Sequence, residues 1–173
     1  MNTEYYWIEG PWTGRLAIVP RPRGGDWLEG EIDSWREGGF DTMVSLLTPD
    51  EADEFDLTDE EALSEAHGIE FISFPIPDRG VPASREETSA LANKLERALA
   101  AGKRVGLHCR QSIGRSSLLA ACVLVAAGED SSNAFQRISI ARGHPVPDTM
   151  EQEDWVNTLV PSPAGPIPAT RRL

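Results

Sequence analysis

The sequence predicts an α/β fold: a central, mainly parallel sheet of four to five strands flanked by helices on both faces, with an anion-binding loop between the fourth strand and a buried helix. Three observations predict it. Short apolar runs of β-like composition alternate with segments of helical periodicity, the pattern of strands joined by crossover helices. One segment, Ser116 to Ala127, is apolar on every side, as a helix in the middle of a domain must be. Between the strand-like "RVGLHC" and that helix lies a short stretch of mostly small or polar residues ending in Arg115.

Taken in order, "RLAIVPRP" reads as the first strand. "DWLEGEIDSWREGGF" sets Leu28, Ile32 and Trp35 at helical spacing, with Asp26 as N-cap and Gly38-Gly39 as the stop. "DTMVSLLT" is the second strand. The acidic segment that follows is helical or part loop and ends at His67-Gly68, a C-cap pattern. "IEFISFPIP" is the third strand, closed by its prolines. "SREETSALANKLERALAAGK" is the clearest helix: Ser84 and Glu87 have capping-box spacing, and Leu91, Leu95, Ala98 and Leu99 make its apolar stripe. "RVGLHC" is the fourth strand. "SSNAFQRISIARG" and "TMEQEDWVNTLV" are two further helices. The N-terminal aromatics Tyr5, Tyr6, Trp7 and Trp12 fit a core cluster better than the rim of a cleft. "PSPAGPIPATRRL" carries four prolines in thirteen residues, so residues 1–160 are expected to form a single domain and 161–173 a loose Pro-rich tail.

A chain of 173 residues with 40% apolar content supports one real core. No apolar run approaches the ~20 residues that span a bilayer. The start, "MNTEYYWIEGPW", lacks the basic and apolar regions of a signal peptide. Two cysteines make no disulfide framework, and the three histidines have no zinc spacing. The expectation is a reduced cytoplasmic protein with no metal and no cofactor. Cys122, within "LLAACVLV", reads as a small buried apolar side chain. The net charge of −12 disfavours nucleic acid and anionic membranes as partners. The acids cluster: from Glu37 to Asp78 there is no Lys or Arg, and the 50–65 region holds nine acids. That region reads as a solvated helix face or as a docking surface for a basic protein partner.

In a parallel sheet, ligands bind beyond the carboxyl ends of the strands, which is where Cys109 falls. A loop curling from a strand into a helix N-terminus turns its backbone N–H groups inward, and the helix dipole adds to their field. Residues Arg110, Gln111, Ser112, Ile113 and Gly114 would form such a cradle for a tetrahedral oxyanion. Arg115 adds a planar fork that grips two oxygens at once. The same positive field favours a thiolate, the nucleophilic form of cysteine. Nucleophile and anion clamp are built from one loop.

"HCRQSIGRS" resembles the signature loop of the cysteine-dependent protein tyrosine phosphatases: His-Cys, five residues, Arg, then Ser or Thr. The small dual-specificity branch, including bacterial-type members, is the nearest match. The resemblance implies that Cys109 is the nucleophile, that Arg115 binds phosphate, that Ser116 stabilises the departing thiolate, and that His108 holds the loop and tunes Cys109. It also implies a general acid, an aspartate on a mobile loop about thirty residues earlier. "FPIPDRGVP" offers Asp78, directly after the third strand, with Arg79 beside it as a further phosphate contact or a solvated residue. "VPDTMEQEDWV" is similar to the segment whose glutamine orients the hydrolytic water, here Gln152. The competing reading of Gln152 is a capping box with Thr149. One residue departs from the family pattern: Ser112 stands where glycine is usual. A side chain there in left-handed geometry costs about 1–2 kcal/mol.

The expected activity is hydrolysis of phosphate monoesters, phosphotyrosine and also phosphoserine or phosphothreonine, through a phosphocysteine intermediate, on a phosphorylated protein or a small phosphomonoester. Two alternatives remain open: a phosphate-binding pseudophosphatase weakened by Ser112, and a rhodanese-like sulfurtransferase. The second gives Asp78 nothing to do.

Overall fold

Apolar residues recur with a period of two along the central strands, and this sorts them between two helical layers. The structure, a computed structural model, describes residues 4–159; the expected tail lies outside them. Five strands form one sheet: β1 (Tyr6–Ile8), β2 (Arg15–Ile18), β3 (Thr42–Ser45), β4 (Glu70–Ser73) and β5 (Arg104–His108), in the order β1-β2-β5-β3-β4. All neighbours pair in parallel except β1, which lies antiparallel against β2. β1 is the strand missing from the sequence reading; "YWI" is too short a run to declare a period. Tyr5 and Trp7 pack edge-on and stacked against Phe40, so this end of the chain joins the core.

The helices are α1 (Leu28–Glu37), α2 (Pro49–Glu54), α3 (Glu60–Ala66), α4 (Arg85–Ala100), α5 (Arg115–Ala126), α6 (Ser131–Arg142) and α7 (Met150–Asn157). Asp26 does not cap α1. It sits inside a 3-10 turn, Gly25–Trp27, that leads into the helix, and no side chain caps either element. The other expected caps form: Ser84 accepts from the Glu87 N–H, and Thr149 and Gln152 make a full capping box.

Leu16, Ile18, Val44, Val105 and Leu107 face one layer, where Leu95 and Leu99 of α4, the apolar wall of α5, Ile138 of α6 and Val156 of α7 cover them. Ala17, Val19 and Met43 face the other, against Leu28, Ile32 and Trp35 of α1. Gly106 in the middle strand keeps that second face bare: a Cβ there would lie 2.7 Å from the Met43 Cε. Helix α5 is buried from Arg115 through Val125, as its all-round apolar sequence requires. Burial pushes the Cys122 thiol well above its ordinary range, which makes it a packing residue. Because β5 is the central strand, the loop after His108 emerges over the middle of the sheet.

Candidate active site

Gly114 closes the turn from β5 into α5 and packs against Gln152. A Cβ there would come within 3.0 Å of the Gln152 side chain. The turn closes around a pocket lined by Cys109, Arg110, Gln111, Ile113, Gly114 and Arg115. Asp78 and Arg79 reach it from the loop after β4, and Asp148 from the loop before α7. Cys109 is buried, with 2% of its surface accessible.

Ser112 is the one residue of the expected phosphate loop that does not line the pocket. It adopts φ 60°, the left-handed region that glycine enters freely and serine enters at a cost. Its buried hydroxyl donates to the Val19 carbonyl at 3.0 Å, and its own carbonyl accepts from the Arg142 Nε at 3.0 Å. The serine therefore fastens the back of the loop to the end of β2 and to α6. The usual glycine contributes conformational freedom; here a hydrogen bond offsets the strain instead.

Arg115 is almost wholly buried. Its Nη1 and Nη2 donate to the two oxygens of Glu51 at 2.6 and 2.8 Å, a bidentate fork. Nη1 also donates to the Ile76 carbonyl at 2.8 Å, and Nη2 to Asp78 Oδ1 at 3.1 Å. Burial alone would lower the guanidinium's pKa. The Glu51 hydrogen bonds and the charges at Cys109, Glu51 and Asp78 outweigh it, so the net direction is up. Glu51 is also shifted: burial would raise its carboxyl, but Arg115 and the Thr48 hydrogen bonds hold it below the usual range. Glu51 belongs to a capping box at the start of α2, where its Oε1 also accepts from the Thr48 N–H at 3.1 Å.

His108 is completely buried at the end of β5, and its Nε2 pairs with Glu60, which is 3% exposed at the start of α3. The segment read as an acidic face thus turns two carboxylates inward, one to each flank of the cysteine loop. Their signal in the sequence was slight: "TPDE" has capping-box spacing, but nothing local says that its Glu51 also serves Arg115. Ser116, in the first turn of α5, is buried, and its hydroxyl has no hydrogen-bond partner among the described residues.

Asp78 is half exposed and points at Arg115. Next to it, Arg79 takes φ 58° and approaches Asp148 at 3.8 Å. Gln152 is buried and faces backbone rather than the pocket. Its Oε1 accepts from the N–H groups of Asp148 and Thr149, and its Nε2 donates to the Gly80 carbonyl at 3.1 Å. In this arrangement Gln152 joins α7 to the loop that carries Asp78, and the water-orienting role implied by resemblance is not what its contacts provide. Asp148, which the sequence reading passed over, is the side chain of that segment on the pocket wall.

A cysteine at the carboxyl end of a central parallel strand, a buried arginine six positions further on, and an aspartate meeting that arginine define the cysteine-dependent protein tyrosine phosphatase superfamily, of dual-specificity-like type. The model of the cyclin-dependent kinase inhibitor 3 family matches residues 30–138, more than half of the chain, and the chain belongs to that family. Solved structures agree on the fold. Kinase associated phosphatase, in a form with its catalytic-site cysteine replaced by serine, superposes with a TM-score of 0.82 over 90% of this chain and 93% of its own, at 18% identity. Tk-PTP in its active form gives 0.74 over 92% and 100%, at 24% identity. A putative protein tyrosine phosphatase from Leishmania major gives 0.71 over 92% and 99%, at 21% identity. No curated protein matches the chain in sequence. No helix among the described residues is long and apolar enough to cross a membrane.

Proposed function

We propose that the chain hydrolyses phosphate monoesters through a phosphocysteine intermediate, with phosphotyrosine, phosphoserine or phosphothreonine as the reacting group. The observation that carries this reading is the Asp78–Arg115 contact of 3.1 Å at the mouth of a pocket that Cys109 also lines. Nucleophile, clamp and acid share one small space.

The steps follow from those positions. The Cys109 Sγ thiolate attacks phosphorus as the bond to the ester oxygen breaks, and Asp78 gives that oxygen its proton. Main-chain N–H groups of the loop and Arg115 hold the three equatorial oxygens, which supplies most of the rate. The Asp78–Nη2 contact is the exchangeable one: a phosphate oxygen takes that donor while Glu51 keeps the guanidinium in plane. Water then attacks the phosphocysteine, Asp78 removes a proton from it, and the S–P bond breaks. The Ser116 hydroxyl, free of other partners among the described residues, is available to donate to the sulfur as it leaves. Arg79 lines the mouth and, on this reading, contacts the substrate beyond the phosphate.

Hydrolysis of an aryl and of an alkyl phosphate by the native chain, Cys109→Ser and Asp78→Asn tests it. Cys109→Ser is expected to fall to background. Asp78→Asn is expected to lose about 10²–10⁴-fold with an alkyl leaving group and much less with a good one. Full activity of Cys109→Ser would end the proposal.

A further inference from the structure

The rim of the pocket holds an arrangement that the phosphate chemistry leaves unused. Phe55, at the end of α2, carries two guanidiniums: that of Arg21 lies 3.5 Å from the ring centroid and that of Arg110 4.8 Å from it. Arg110 is the residue after the nucleophile and lines the phosphate pocket. Arg21 is two residues beyond Val19, whose carbonyl holds Ser112 in the same loop. Phe55 follows, by one turn of helix, the Glu51 that grips Arg115. The rim is therefore tied to the cradle at three points, and the stacking holds both cations in place without neutralising them.

Their charges are not balanced alike. Arg110 donates from both terminal nitrogens to Glu54, at 3.3 and 3.2 Å. The nearby Arg23 is paired with Glu31 at 2.6 Å and stacks on Trp27. Arg21 makes no ion pair and no side-chain hydrogen bond with any described residue; stacking is its contact. Burial and then the like charge of Arg110 hold its guanidinium below the ordinary arginine range, with Glu54 and Glu51 too weak to reverse the direction. In a chain of net charge −12, a half-buried cation with no carboxylate at ion-pair distance among the described residues, next to a phosphate cradle, is a place for an anion.

We propose that Arg21, with Phe55 and Arg110, forms a second anion subsite beside the phosphate pocket, so that the chain selects phosphopeptides carrying an acidic group, a carboxylate or a second phosphate, next to the phosphorylated residue. This rests on the phosphate-monoester reading above. A peptide is the fitting carrier because the acidic surface repels an anionic membrane as a whole, while a single flanking group needs only the local cation. The open fork of Arg21 suits either oxyanion, and a phosphate dianion gains more than a carboxylate.

The test is binding to Cys109→Ser of three labelled phosphotyrosine peptides that differ only in the flanking residue: alanine, glutamate or phosphoserine. The expected order is alanine weakest, glutamate about tenfold tighter and phosphoserine tighter still, with the differences shrinking as salt rises. Adding Arg21→Met should collapse the three affinities to within about twofold, adding Arg21→Lys should fall between, and adding Arg23→Met should leave the order intact. Equal affinities in Cys109→Ser, or an order insensitive to Arg21→Met, would overturn the subsite. So would tighter binding to vesicles containing phosphoinositide than to any of the peptides. Failure of the underlying reading shows differently: the acid-flanked peptide would bind equally well without its phosphotyrosine phosphate, or the native chain would turn over no aryl phosphate.

Discussion

The loop from Cys109 to Ser116 and the acidic stretch from Pro49 to Ala66 meet at one pocket with opposite chemistry. The loop contributes a sulfur, main-chain N–H groups and cations, which on the proposed reading grip the phosphate while Asp78 meets it from the loop after β4. The acidic stretch contributes carboxylates that touch the loop: Glu51 on Arg115, Glu54 on Arg110 and Glu60 on His108. A cradle built only of donors and cations would repel itself and wander. Carboxylates behind and beside it fix the guanidinium plane and the strand end, leaving the inner faces for the substrate. On the proposed reading, the two regions divide the work into binding and holding.

The sharpest way to break that division is Glu51→Ala. It leaves Arg115 buried without its fork, and losing one member of a buried pair costs about 3 kcal/mol. Urea unfolding should show that loss, and aryl phosphate turnover should fall because the clamp loses its plane. The same carboxylate sets an acid limit. Its folded pKa lies below the unfolded value of about 4.3. Its contribution is therefore complete above that value and is lost as pH falls through the lower folded one. Thermal unfolding of the native chain should steepen below about pH 5, and Glu51→Gln should flatten the slope. An unchanged slope would remove Glu51 from the holding set.

Glu60→Ala is expected to cost less, about 1–3 kcal/mol, since it strands the buried Nε2 of His108 but frees no fixed charge. A chevron or melting series would rank it against Glu51→Ala; a larger effect would place the main support at His108 rather than at Arg115. Ser112→Gly is the mildest change. It relieves about 1–2 kcal/mol of left-handed strain and gives up a hydrogen bond worth about 1, so stability should shift by less than about 1 kcal/mol. Ser112→Ala keeps the strain and loses the bond, and should be the less stable of the two by melting temperature.

Much of this protein was legible without coordinates. The crossover pattern, the buried α5, the caps at Ser84 and Thr149, and the Cys109–Arg115 spacing are all set by neighbours a few residues apart, and local sterics and hydrogen bonds decide them. Asp78 was singled out by its distance along the chain from the loop, a count the resemblance supplied, and the fold sets it 3.1 Å from Arg115. What the sequence could not show were partnerships between distant segments. Glu51 and Arg115 are 64 positions apart, Glu60 and His108 48, and Ser112 and Val19 93. Local charge counts the 50–65 acids as one solvated face, because in water they would be. Only the fold, which brings Glu51 to Arg115 and Glu60 to His108, removes water from these carboxylates and makes pairing favourable, and only the same fold turns Gln152 from the pocket and leaves Arg21 stacked on Phe55 with no ion pair among the described residues.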